Sequence, residues 1–148
     1  MVTKVRGRFT DVSGTVRVAE EFSDSTVTAA ASVASVATGN DDRDAHLRSD
    51  DFFAADEFPE ITFASTAVTP SSLTGDLTIK GVTKPVTFDL EFSGVAADPW
   101  GNTKAAFEAR TDVLRKDWGL TWNAALEGGG VLVSDKIQIT LDVELLKS

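Results

Sequence analysis

The chain contains no cysteine. Disulfides, thiolate nucleophiles and cysteine-ligated metals are excluded together, although the compartment is not fixed by this, since many exported proteins also lack cysteine. There is a single histidine, His46. No stretch approaches the roughly 20 consecutive apolar residues of a membrane-spanning helix. The segment from Met1 to Phe9 carries Lys4, Arg6 and Arg8 but no apolar core of a signal peptide. As written, the chain is therefore expected in the cytoplasm, with a periplasmic or secreted location open if a leader precedes it. Positive charge is scarce: 14 Lys and Arg stand against 23 Asp and Glu, a net charge of −9. That leaves little material for the basic face of a nucleic-acid binder or for docking on anionic lipid. A small or uncharged partner fits better.

What is present is alternation. Val86, Phe88, Leu90 and Phe92 interleave with Thr87, Asp89, Glu91 and Ser93, and Ile137 to Leu145 repeats the pattern with Gln138, Thr140, Asp142 and Glu144 between apolar residues. Successive side chains of a strand point to opposite faces, so each run has one apolar and one charged face. Five further runs read as strands: Phe9–Val18, Val27–Val33, Ile61–Val68, Leu73–Ile79 and Lys104–Leu114. The alanines of the second could be helical in isolation, but Thr26, Thr28 and Ser32 suit the outer face of a strand. Pro70–Ser72, Gly81–Pro85 and Asp98–Gly101 supply turn chemistry between runs, and Gly128–Gly130 loosens the approach to the last. The length of 148 residues, 42% of them hydrophobic, fits one domain over residues 1–148 with a real core.

One segment breaks the pattern. Asn40 to Phe53 reads as a short helix and its exit, with Asn40 or Asp41 as cap and Asp41, Asp42 and Asp44 at the positive end of the dipole. It would lie over one end of the sheet. A sheet whose inner face held Asp89, Glu91, Asp142 and Glu144 would bury like charges at great cost, so these residues belong in water. The reading is an all-β, antiparallel, up-and-down barrel with an apolar inside and a short helix near one end.

Several segments together resemble the YceI-like family, lipocalin-like barrels implicated in polyisoprenoid binding. They are NDDRDAHLRSDDFF (40–53), EFPEITF (57–63), LTGDLTIKGVTKPV (73–86), DPWG (98–101), RKDWGLTWN (115–123) and LEGGGVLVSDKIQI (126–139). The resemblance implies an extended, usually eight-stranded barrel that holds a long isoprenoid chain of quinone or polyprenyl type in an elongated apolar pocket. Family members usually open with a Tyr-x-Ile-Asp strand and a His-Ser pair, and this chain starts after that point, with seven strand-like runs. An upstream start, closure with seven strands, or a partner chain (a homodimer being the simplest) would each answer the unpaired edge, and the first is the expectation.

The residues expected to meet an apolar ligand are Val33, Phe52, Phe53, Phe63, Leu77, Phe88, Phe92, Phe107, Trp118 and Trp122, with His46 at a headgroup, helped by Arg43 or Arg48. For the inward aromatics, core and pocket readings barely differ, because a lipid pocket in a barrel is an unfilled core. Trp100 is a weaker candidate. The acids Asp41, Asp42, Asp44, Asp50 and Asp51 lack the spacing and glycine of a calcium loop, so capping and solvation account for them, and Gly128–Gly130 has no lysine–serine pair to make a phosphate loop. No cofactor or metal is expected, only an isoprenoid lipid as ligand, with no nucleic-acid partner and no membrane span. Besides a carrier, an enzyme for a hydrophobic substrate using His46 and an acidic neighbour stays open, as does a stress-related barrel with a filled interior. The missing second histidine and nucleophile motif weigh against the enzyme.

Overall fold

The alternating runs become strands that pair with their neighbours in sequence. The computed structural model describes residues 6–97, 103–121 and 135–146. Trp100, Trp122, the glycines at 128–130 and the expected turn at 98–101 lie outside these residues. The strands are β1 (Arg8–Phe9), β2 (Val12–Arg17), β3 (Thr26–Ser32), β4 (Val36–Ala37), β5 (Glu60–Val68), β6 (Ser72–Ile79), β7 (Val82–Ala97), β8 (Thr103–Leu114) and β9 (Lys136–Leu146), with one helix, α1 (Asp41–Arg48). Seven of them form one antiparallel sheet in the order β2-β3-β5-β6-β7-β8-β9, and β1 and β4 make a small ladder of their own. The sheet curls into a half-barrel. Its marginal strands are β2 and β9, which are not paired with each other among the described residues.

The faces follow the sequence alternation. Val86 and Phe88 are buried while Thr87, Asp89 and Glu91 are exposed. Across the outer face, Glu91, Glu108 and Asp142 stand side by side on β7, β8 and β9. Like charges directly opposite are destabilising, and water on this face, with the Arg110–Glu108 ion pair, keeps that cost small. Hydroxyl pairs brace the same face, Thr74–Thr87 at 3.0 Å and Thr78–Thr83 at 2.7 Å. The inner face carries the core, in which the rings of Phe63 and Phe88 meet edge to face at 5.4 Å.

Three boundaries differ from the sequence expectation. The first run is interrupted at Thr10–Asp11, which puts Phe9 in β1, where its ring meets Phe53 at 6.1 Å. The second stops at Ser32, and Val33, 1% exposed, opens a 3-10 turn (Val33–Ser35) with its N–H donating to the Pro59 carbonyl. Gly81–Pro85 is no separator either. Lys80 and Gly81 alone make a two-residue hairpin, with φ of +52° and +76°. Positive φ at both central residues matches the right-handed twist of the flanking strands. Pro85 sits inside β7 opposite Asp76, in the part of the strand that pairs with β6 and not with β8. A proline is tolerated where one side of a strand needs no ladder bond.

Gly75 lets the aromatic core approach the backbone of β6. A Cβ there would lie 2.6 Å from the Phe63 ring, which is 5% exposed and cannot retreat. Gly75→Ala is expected to lower stability by about 1–3 kcal/mol through overpacking. Chemical denaturation of the two proteins checks this, and an unchanged midpoint would refute it.

Candidate functional site

The connectivity gives the half-barrel two unlike ends. The Lys80–Gly81 hairpin, α1 and the end of β8 lie at one, the helix end. This is shown by the Lys80 ammonium donating to the Asp50 carbonyl (3.0 Å) and by Phe58 packing on Gly81. The β2–β3 loop at 18–25 and the β5–β6 turn at 69–71 lie at the other, open end.

The helix end is plugged between α1 and the end of β8. Asn40 caps α1, its side chain accepting from the Arg43 N–H at 3.0 Å. The exit of the helix then folds Phe52 and Ala54 inward, 7% and 3% exposed. From the other side, a 3-10 turn (Arg115–Trp118) carries Trp118 and Leu120 into the same cluster, 2% and 3% exposed. The Trp118 indole donates to the Leu77 carbonyl at 2.9 Å, and the buried Arg115 guanidinium donates to the Leu120 carbonyl at 2.7 Å. Buried polar groups with partners cost little, whereas the same groups orphaned would cost much. Asp44, also buried, accepts from the Thr38 N–H at 2.9 Å and from its hydroxyl at 2.5 Å. These bonds fasten α1 to the segment after β4. They give one of the five acids of this stretch a structural role, and no metal-binding acidic group occurs among the described residues.

The open end holds an apolar cavity. Val16 and Val18 come from β2 and its exit, Ser25 and Val27 from the start of β3, Val68 and Leu73 from the β5–β6 hairpin, and Leu90, Phe92 and Phe107 from β7 and β8. Ser25 is the sole polar residue of this lining, and its hydroxyl accepts from the Ala19 N–H at 3.0 Å. The cavity is small, about 30 Å³, and partly open. It is not closed over. Val18 is 62% and Phe92 45% exposed there, and on the two marginal strands Val12 and Ile137, towards the helix end, are bared at 55% and 37%, so the uncovered margin runs along the sheet. These are inner-face positions, since Val12 pairs with Ala31 and Ile137 with the buried Val113. They are exposed because the sheet stops short of closing.

The structure thus divides the expected ligand contacts among three places. Phe92 and Phe107 line the cavity. Phe63, Leu77 and Phe88 fill the middle, at 5%, 5% and 1% exposed. Phe52 and Trp118 plug the helix end, with Phe53 packed against them. Val33 is buried, also at the helix end, where its N–H reaches Pro59. His46 sits on the last turn of α1, its ring edge-on to Phe52 at 5.0 Å and its Nε2 2.9 Å from an Asp51 carboxylate oxygen. This pair is half-exposed and at the end away from the cavity. Trp122 lies outside the described residues. Sequence reasoning missed Val16, Val18, Ser25, Val27, Val68, Leu73 and Leu90. Leu90 was legible from its parity with Phe88, whereas the others needed the pairing of β2, β3, β5 and β6. Among the described residues no helix is long and apolar enough to cross a membrane.

Comparison with known proteins agrees with this architecture. The family model of the YceI-like domain matches residues 1–145. A UPF0312 protein of Staphylococcus aureus is 40% identical over 97% of this chain and 85% of its own length. The crystal structure of a Campylobacter jejuni YceI protein superposes with a TM-score of 0.86 at 30% identity, covering 100% of this chain and 88% of that one. Burkholderia cenocepacia BcnA has the same fold, with a TM-score of 0.78 at 23% identity over 94% of this chain and 86% of that one. Family and fold together support a lipocalin-like binding protein rather than a member of a known enzyme family. The chain belongs to the YceI-like family.

Proposed function

We propose that the protein is a noncatalytic carrier of a long-chain isoprenoid lipid of quinone or polyprenyl type. The observation that carries this reading is the uncovered apolar lining at the open end, where inner-face Val18 and Phe92 meet water beside buried Val27, Val68, Leu73 and Phe107. A methyl-rich chain laid along this trough and the seam between β2 and β9 would cover them. Burial contributes roughly 25 cal/mol per Å² of apolar surface removed from water, so affinity grows with chain length and needs few polar contacts. The reading makes no use of His46 as a headgroup contact, since that side chain is at the other end. The enzyme alternative draws no support from the His46–Asp51 pair for the same reason. A filled structural barrel is favoured by one observation, the small volume of the cavity.

Purification from the native host, followed by native mass spectrometry and solvent extraction, separates the two. The carrier is expected to bring about one prenyl lipid per chain, and the stripped protein to take up a polyprenol or quinone from vesicles. Folded protein that brings no lipid and takes none up would establish the filled barrel instead.

A further inference from the structure

Taking that reading as its basis, we propose that Phe92 is the gate of the cavity and that its mouth lies at the end away from α1. Of the three described aromatic rings on the inner faces of β7 and β8, two are locked. Phe88, four residues earlier on the same face of β7, is 1% exposed, and Phe107, directly opposite Phe92 in the β7–β8 ladder, is 8% exposed. Phe92 lines the cavity yet is 45% exposed. The ladder breaks just after it: Phe92 pairs with Phe107 and Gly94 with Ala106, which leaves Ser93 as an extra residue. A second bulge on β5, between Ser65 and Ala67, immediately precedes Val68 at the same mouth. Bulges interrupt pairing and re-aim the neighbouring side chain, and Phe92 is the last paired residue before this break, the ladder resuming at Gly94.

The plug at the helix end offers no comparable route. A chain arriving there would have to displace Phe52, Trp118 and Leu120, none more than 7% exposed. Among the described residues at the open end it has to turn one half-exposed ring, and such rotations take picoseconds to nanoseconds. The ring therefore limits how firmly a chain is held rather than how slowly it arrives. Turned in, it leaves a cavity of about 30 Å³. Turned out, it uncovers the floor made by Leu73 and Phe107. Closed over a bound chain, it adds aromatic contact and shields the tail from water.

The test uses N-phenyl-1-naphthylamine, a neutral apolar fluorophore that brightens on leaving water. Bound dye is chased by stopped-flow dilution from the wild type, Phe92→Ala, Phe92→Leu and, as control, Leu114→Ala, an exposed position on the outer face of β8. Loss of the ring is expected to speed release about tenfold, the equivalent of one good aromatic contact, with leucine intermediate and the control unchanged. Dye held by the wild type but released at equal rates from every variant would overturn the gate and leave the carrier standing. Uptake by Phe92→Ala but not by the wild type would support the gate and count against the carrier. No uptake by any folded variant would overturn both.

Discussion

Replacing Phe88 with alanine is expected to lower stability by about 3–5 kcal/mol. Phe88 is 1% exposed, lies edge to face with Phe63, and pairs in register with Leu73, itself 1% exposed. Removing the ring would leave a space walled by rigid strands that cannot close in, so the cavity term adds to the lost transfer energy. A domain of this kind is stable by about 5–15 kcal/mol, and one substitution would remove a fifth of that or more. Phe92→Ala is the internal comparison. It removes the same ring from the same face of the same strand, four residues on, but from a half-exposed site, so about 1 kcal/mol or less is expected. Urea titrations should show a large fall in midpoint for the first variant and a small one for the second, with similar slopes. Equal losses would mean that the inner face of β7 is evenly covered, and that the open end described above is closed in solution.

That contrast marks how far the sequence was legible. Period-2 alternation is a local signal. It located all seven strands of the main sheet to within a few residues, put Asp89, Glu91, Asp142 and Glu144 in water, and distinguished the one helix by its Asn40 cap and acidic first turn. Two of the three misread boundaries involved residues whose local preference was overridden. Pro85 and Gly81 are turn formers, but the hairpin needs only two residues, and β7 has a one-sided stretch in which a proline does no harm. Val33 looks like the next inward residue of its run, yet the chain must leave the sheet there to reach β4 and α1, so it buries its side chain in a turn.

The site was less legible than the fold. Alternation gives the face of a side chain but not its height along the barrel, and height separates a cavity contact from a core contact here. Phe88 and Phe92 share one face and one residue type, yet one is locked in the middle and the other opens to solvent. Height depends on register between strands distant in sequence, and the bulges near Thr66 and Ser93 shift that register without a sequence mark of their own. The helix segment attracted His46, Phe52 and Phe53 to the candidate list because it interrupts the strand pattern. The same interruption supplies a plug: α1 and the Arg115–Trp118 turn close their end and leave the opposite one bare.

Trp118 tests that division most directly. It is 2% exposed, and its indole N–H donates to the Leu77 carbonyl, fastening the end of β8 to β6 across the intervening strand. Trp118→Ala is expected to lose about 3–5 kcal/mol, through a large cavity and an orphaned carbonyl. Trp118→Phe keeps most of the packing and removes only the donor, for about 1–3 kcal/mol. If Trp118 is a plug and not a ligand contact, both variants lose stability in that order. Measured well below their unfolding midpoints, they should then bind N-phenyl-1-naphthylamine as the wild type does, since the cavity lining at the other end is untouched. If instead Trp118→Phe kept full stability while dye binding fell, the indole would be facing the ligand. The plugged and open ends would then have to be exchanged, and Phe92 would lose its place at the mouth.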